Sequence, residues 1–394
     1  MKAGIIGYGK MGRAIFSLLS ELRGRVSVFI RDPVKAEQEG QRLEKRLRRL
    51  VRSGMLSESD FDQRRRNLAF SPNLDDLRDC DLIIESIVED FEQKEEVLRR
   101  TEQLVPPEAL ITTNSSSLSI TDLGAILERP ERFCGLHFFH PVQLTTVVEI
   151  IRSDKTSEAT VSTLQELCHE IRKQPLVVKD LPGSCVNLPL SFQICESLYI
   201  LEQGLALPSR IDAVADTIGR VGPCATADIV GLPLVIAATE RSLASLPTSF
   251  SIPDLGRKLL RDGRHGKSVN RGIYLYRDDR PVDDSPDYYR NRQQIHTRDG
   301  TNDDDSLRQR LIGTVYFSVL LMAQMKLGSL EDLCVGVGDV IGLKFDLLVR
   351  MKELGSEGMS DMFGRLAEEL GPRYDCEPIA GILSSLDEPR PSVA

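Results

Sequence analysis

The chain opens on a short apolar run, Lys2–Gly7, followed by helical periodicity over Met11–Leu22 and a second apolar run at Val26–Ile30. This predicts strand, helix, strand. Ala36–Val51 is a strongly charged helical stretch, and Asp81–Ile87 (D-L-I-I-E-S-I), Ala109–Thr113 and Arg132–Phe138 are further apolar runs of strand length. Strands that alternate with amphipathic helices imply parallel crossovers, so the first 180 residues are expected to form a doubly wound parallel sheet. The pattern changes after Asp180-Leu181-Pro182-Gly183. From Val186 to about Leu246, and again from Leu307 to about Leu370, only helical periodicity is found. Between them Arg277–Ser306 is polar, rich in Arg and Asp, and reads as a linker; Glu388–Ala394, with two prolines, reads as a frayed tail. The expected organisation is an α/β domain over 1–180, an all-α domain over 181–276, a linker over 277–306 and a second helical domain over 307–394. Ser197–Gly222 and Ser318–Gly342 each read as helix, break, helix and terminal glycine, either an internal repeat or two unrelated amphipathic pairs.

Composition narrows the function classes. Hydrophobic residues make up 41% of 394 and charged residues 28%, an ordinary globular balance. No uncharged apolar run reaches the roughly 18 residues of a membrane span, and Met1–Gly7 lacks the features of a secretory leader, so a cytoplasmic protein without membrane contact is expected. A net charge of −9 argues against a general nucleic-acid binder. The eight cysteines are scattered and form no C-x-x-C pair, which favours buried free thiols over a disulfide scaffold or zinc module; no metal is expected.

Gly7-Tyr8-Gly9-Lys10-Met11-Gly12 lies between the first strand and the first helix, the context that a dinucleotide fingerprint requires. Gly7 permits the tight turn, Gly9 the approach of a pyrophosphate and Gly12 close helix–strand packing, with Lys10 and Met11 in the cradle. The unit thus reads as Rossmann-type. Asp32, at the end of the second strand, stands where an acidic residue accepts from ribose hydroxyls and repels a 2′-phosphate, which favours NAD, although Arg31 is beside it.

Further blocks follow in order: Asn114-Ser115-Ser116-Ser117, then Gly135-Leu136-His137-Phe138-Phe139-His140-Pro141, Val147-Val148-Glu149-Ile150-Ile151, Lys179-Asp180-Leu181-Pro182-Gly183 with Asn187 four residues on, and Gly222-Pro223 before Asp228-Ile229-Val230-Gly231-Leu232. In these blocks the chain resembles the L-3-hydroxyacyl-CoA dehydrogenase family, over about residues 2–276. A degenerate second copy of the family's helical domain corresponds to about 307–385. The resemblance implies NAD-dependent oxidation of an L-3-hydroxyacyl thioester, or its reverse, in fatty acid metabolism. It makes His137 the general base, Glu149 its partner, and Ser116 and Asn187 the residues that bind the substrate oxygen. Glu89, Lys94, Asn114 and His140 would line the cofactor. The chemistry is intelligible in itself: alcohol oxidation needs a base and a hydride acceptor, imidazole titrates near neutrality, and a carboxylate fixes its tautomer. Some positions depart from the family pattern. His140 replaces an asparagine, Ser184 a phenylalanine, and Leu188-Pro189 an arginine after Asn187. The block Lys267-Ser268-Val269-Asn270-Arg271-Gly272-Ile273-Tyr274 keeps its lysine and last glycine but is one residue longer.

The charged helix carries Arg42, Lys45, Arg46, Arg48, Arg49 and Arg52, with Arg64-Arg65-Arg66 on the next segment. It reads either as a solvated face balanced by Glu37, Glu39 and Glu44 or as a docking surface, with Arg46 and Arg49 as substrate contacts, for CoA phosphates or an acidic acyl carrier protein. Three functional readings therefore stand: the dehydrogenase acting on CoA thioesters, the same chemistry on a carrier protein in polyketide-type biosynthesis, and a non-catalytic NAD-binding protein. A monomer and a homodimer are equally open.

Overall fold

The computed structural model describes residues 1–387 apart from 23, 182, 221, 284–288 and 290–303. The chain divides into two compact units, Met1–Asp180 and Leu181–Ala394.

The first unit is built on one eight-stranded sheet. In chain order its elements are β1 (Lys2–Ile6), α1 (Lys10–Leu19), β2 (Arg25–Phe29), α2 (Pro33–Arg52), α3 (Glu58–Asn67), β3 (Leu68–Ser71), β4 (Leu82–Glu85), α4 (Phe91–Leu104), β5 (Leu110–Thr113), α5 (Ile120–Ala125), β6 (Phe133–Phe138), β7 (Val147–Arg152), α6 (Glu158–Glu170) and β8 (Gln174–Lys179). The strand order is β3-β2-β1-β4-β5-β6-β7-β8. β1, β4 and β6 are apolar apart from Lys2, Glu85 and His137, as strands covered on both faces are expected to be. Ile5, Phe16, Ile84, Leu136 and Val148 meet in the core.

The expected parallel sheet holds from β3 to β6. β7 then runs antiparallel to β6, and β8 follows β7 in parallel. The cause is loop length. Residues 139–146 join β6 to β7, fewer than the dozen or so that a parallel crossover needs. The register of that pair sets His137 opposite Glu149. The periodicity reading leaves out β3, β7, β8, α3, α4, α5 and α6. β3 is only four residues long, β8 is interrupted by Pro175, and α3 is charged all round with Phe61 alone buried.

Asp32 caps α2, and Pro33 occupies the first helical position, where a missing N–H costs nothing. A Cβ on Gly12 would collide with the Gly7 carbonyl, so the first turn of α1 lies against the end of β1 only because residue 12 is glycine.

The second unit begins with α7 (Leu188–Glu202), α8 (Pro208–Ile218), α9 (Pro223–Val230), α10 (Leu232–Ala244) and α11 (Asp254–Arg261). It is not wholly helical. β9 (Leu275–Arg277) and β10 (Arg280–Asp283) form an antiparallel hairpin across Asp278 and Asp279, both at positive φ as a two-residue hairpin turn demands. The stretch read as a linker thus starts with a strand, and helix resumes at Asp304; most of it, like the tail from Glu388, lies outside the described residues.

A second set of helices opens with Asp304–Gln324 and Leu330–Ile341. Leu347–Leu370 is broken at Gly355 (φ +67°), as α9 and α10 are divided at Gly231 (φ +103°). The two sets exchange backbone hydrogen bonds reciprocally, Arg220 N–H to Ile341 O at 3.2 Å and Lys344 N–H to Ile218 O at 3.0 Å. α7 packs along the helix Asp304–Gln324. Glu196 on α7 is fully buried between two guanidinium groups, Arg310 Nε at 2.6 Å and Arg373 Nε at 3.1 Å. Among the described residues no single helix is long and apolar enough to cross a membrane. The cysteines are free, all but Cys376 buried.

Candidate active site

The chemistry-bearing residues of the first unit gather at the carboxyl ends of β1, β4, β5 and β6, where open α/β sheets bind ligands. After β1 comes the glycine turn. Gly7 has φ +99°, and Gly9, at the start of α1, has no side-chain cap and no atom within 4 Å of where a Cβ would stand. The helix N-terminus therefore faces an open cradle that a side chain would fill, which fits a dinucleotide pyrophosphate. Lys10 is exposed there, and Met11 packs against the core. Asp32 accepts from Val34 N–H at 2.9 Å and Lys35 N–H at 3.2 Å through Oδ1. Its Oδ2 makes no hydrogen bond among the described residues, so one carboxylate oxygen holds the helix and the other is available for a ribose.

His137 and Glu149 form the dyad. Nδ1 lies 2.7 Å from Glu149 Oε2, with Glu149 0% and the His137 side chain 7% exposed. An ionised carboxylate only accepts, so Nδ1 carries the proton and Nε2 keeps a lone pair. Phe139 packs edge-on against the imidazole at 4.5 Å. Asn114, directly after β5, accepts Phe138 N–H through Oδ1 at 2.9 Å and so ties the ends of β5 and β6.

The serine turn hangs from Glu89. Its Oε1 accepts the Ser115 hydroxyl at 2.7 Å, Ser116 N–H at 2.8 Å, Ser117 N–H at 2.9 Å and the Ser117 hydroxyl at 3.2 Å. Burial pushes the Glu89 carboxyl up, but Lys94 and these donors prevail and hold it below the usual carboxylate range. Of the three serines only Ser116 has a hydroxyl with no partner among the described residues.

His140 is exposed at the end of this segment, and partial burial and the Lys10 ammonium hold its imidazole below the usual histidine range. It is neutral near neutrality and presents one donor and one acceptor. Arg46 and Arg49 lie exposed on α2 with no ion pair among the described residues, whereas Arg42 pairs with Glu39 and Arg48 with Glu44.

Asn187 belongs to the second unit. It stands at the start of α7, half-buried, and its side chain caps nothing. Pro189 is tolerated because it falls in the first turn of α7. Ser184 is buried at φ +67°. The Lys267 block is pinned to α9: Asp228 accepts Ile273 N–H at 2.7 Å and Tyr274 N–H at 2.8 Å, and a Cβ on Gly272 would collide with that carboxylate.

Sequence reasoning missed Glu85 and Thr113. Glu85, fully buried at the end of β4, takes both Lys94 Nζ contacts at 2.8 Å and the Thr113 hydroxyl. The signal was present: an acid inside the apolar run D-L-I-I-E-S-I must be paired if the run is a buried strand.

An open sheet with a glycine cradle at its first strand, beside a cluster of titratable side chains at the later ones, defines a dinucleotide-dependent oxidoreductase. Residues 2–181 match the family described as 3-hydroxyacyl-CoA dehydrogenase, NAD binding domain, and residues 184–276 match the 3-hydroxyacyl-CoA dehydrogenase C-terminal domain. A probable 3-hydroxybutyryl-CoA dehydrogenase of Bacillus subtilis is 32% identical over 276 residues, 69% of this chain and 96% of that protein. The solved (S)-3-hydroxybutyryl-CoA dehydrogenase PaaH1 of Ralstonia eutropha is 31% identical, with a TM-score of 0.62, over 70% of this chain and 99% of its own. A 3-hydroxybutyryl-CoA dehydrogenase from Escherichia coli K12 shares the fold over 98% of this chain and 99% of its own, with a TM-score of 0.81 at 22% identity. The chain belongs to the 3-hydroxyacyl-CoA dehydrogenase family, and NAD is its cofactor.

Proposed function

We propose that this protein interconverts an L-3-hydroxyacyl thioester and the 3-oxoacyl thioester, with His137 as base and Glu149 as its orienting partner. The observation that carries the reading is the 2.7 Å contact between His137 Nδ1 and buried Glu149, which leaves Nε2 as the one basic atom. Bound NAD would supply the hydride acceptor or donor. The protein's own share is proton transfer and positioning. His137 Nε2 takes the hydroxyl proton, and Glu149 stabilises the imidazolium that results. Ser116, with its free hydroxyl, and Asn187, with its free amide, hydrogen-bond the oxygen that changes between hydroxyl and carbonyl. On the cofactor side, Gly7, Gly9 and Gly12 cradle the pyrophosphate with Lys10 and Met11, Asp32 takes the ribose, and Asn114 and neutral His140 lie toward the nicotinamide.

CoA is the acyl carrier named in the relatives and is the first choice here. The unpaired cations of α2 favour a second reading, in which the acyl group rides on an acidic carrier protein. Incubation with NADH and matched 3-oxoacyl thioesters on CoA and on carrier protein, followed by loss of NADH absorbance, tests both. Turnover with neither, despite NADH binding, leaves a non-catalytic NAD-binding protein.

A further inference from the structure

His140 and Lys10 belong to different elements but to one edge of the sheet. His140 follows β6, and Lys10 opens α1 after β1. β1, β4, β5 and β6 are adjacent and parallel, so both residues lie at the carboxyl ends of the strands. Both are exposed, and among the described residues neither side chain has a hydrogen-bond or ion-pair partner. Their side chains nevertheless come near enough to act on one another. Partial burial and the Lys10 ammonium together disfavour the protonated form of the His140 imidazole.

The charges around the imidazole are unbalanced. Lys10, from α1, is the charged group that acts on it, and among the described residues no carboxylate answers the two. On its own segment His137 is engaged by Glu149. An arrangement of this kind suits an anion. The first turn of α1 has no side-chain cap, and the space where a Cβ on Gly9 would stand is open. The phosphates of a dinucleotide fit that position, and their negative charge beside Lys10 would reverse the field at the imidazole, from one that repels a proton to one that attracts it.

We propose that His140 is a proton-linked ligand of the dinucleotide, taking up a proton from solvent as the phosphates enter the cradle beside Lys10. This rests on the cofactor part of the reading above and not on turnover. Linkage fixes the sign. The free imidazole titrates below the usual histidine range, and the occupied one above its free value. Affinity therefore rises as pH falls through that interval and levels off beneath it.

The dissociation constant for NADH, from fluorescence titration, should fall about threefold to tenfold between about pH 8 and about pH 6, tenfold being one pK unit of displacement between free and occupied protein. His140→Asn keeps a donor and an acceptor but cannot gain a charge. It should match the wild type within about twofold at about pH 8 and lose the gain in acid, because only the neutral forms are compared at the higher pH. Calorimetry at about pH 6.5 in two buffers of different ionisation heat should show proton uptake on NADH binding by the wild type and none by His140→Asn. In Lys10→Met the bend in the affinity profile should move to higher pH, because the imidazole is relieved of the ammonium. Both side chains are exposed, so neither change endangers the fold, and the other titrating groups are common to the three proteins and cancel in the differences. Identical pH profiles for the wild type and His140→Asn would overturn the proposal. So would an equal loss of affinity in His140→Asn at every pH, the sign of a plain neutral contact, or an unmoved bend in Lys10→Met. A wild-type protein that binds no NADH at any pH would instead overturn the dinucleotide reading, and this inference with it.

Discussion

The dyad at the end of β6 and the cationic stripe on α2 are opposite solutions to placing charge. His137 and Glu149 are buried, fixed by strand register, and between them leave one atom free. Along α2, Lys45, Arg46, Arg49 and Arg52 are exposed and repeat at helical spacing, with no carboxylate within ion-pair distance among the described residues. A rigid, desolvated pair acts on one bond at one moment; mobile solvated cations act at a distance on anything anionic. The first arrangement should therefore govern turnover and the second encounter.

The sharpest way to break that division is His137→Gln. It should lower kcat by about two to four orders of magnitude, the contribution of a general base, with NADH affinity retained by titration. Near-normal kcat under chemistry-limited conditions would remove His137 from the reaction. Replacing NADH by NADPH should cost about a hundredfold in kcat/KM, since Asp32 places a like charge against the 2′-phosphate, a juxtaposition worth several kcal/mol. Equal use of both would transfer that position to Arg31. Glu149→Gln should lower kcat by about tenfold or more through loss of a charge-assisted hydrogen bond to the imidazolium, again with KM for the thioester little changed. The smallest effect belongs to α2. Arg46→Glu with Arg49→Glu should raise KM for the true thioester about threefold to tenfold at constant kcat, the sign of lost uniform binding. Wild-type kcat/KM should also fall as salt rises past about 0.15 M, where the Debye length is about 8 Å. A short thioester lacking both nucleotide and carrier should show neither effect. Insensitivity of KM to the charge reversals would make α2 a solvated face and leave the carrier-protein reading without support.

Much of this was legible in the sequence, for reasons that differ by region. β1, α1 and β2 could be read because a period of two gives way to 3.6 at a glycine fingerprint. The direction of β7 could not, because alternation records which face a residue takes and not which way the strand runs; the short 139–146 connection was the only clue. α3 was hidden by its own composition, since Glu58, Asp60, Asp62 and Arg64–Arg66 leave no apolar stripe. At the site, residue types and spacing pointed to His137, Glu149 and Ser116, but nothing in spacing shows that Lys94 pairs with Glu85 as well as Glu89. Lys94 needed coordinates, and Glu85 needed the recognition that a carboxylate in an apolar strand has to be answered by a cation.

Glu196 has a consequence in time. Its cations lie 114 and 177 residues further along the chain. A ribosome adding about 5–20 residues per second releases α7 with an uncompensated carboxylate on its inner face and supplies Arg310, then Arg373, only after the intervening residues have been made. The helical unit therefore cannot mature from its amino end forward. Its first half waits for Arg310 and Arg373, and a translation product cut off before residue 310 leaves the Glu196 carboxylate with neither of them.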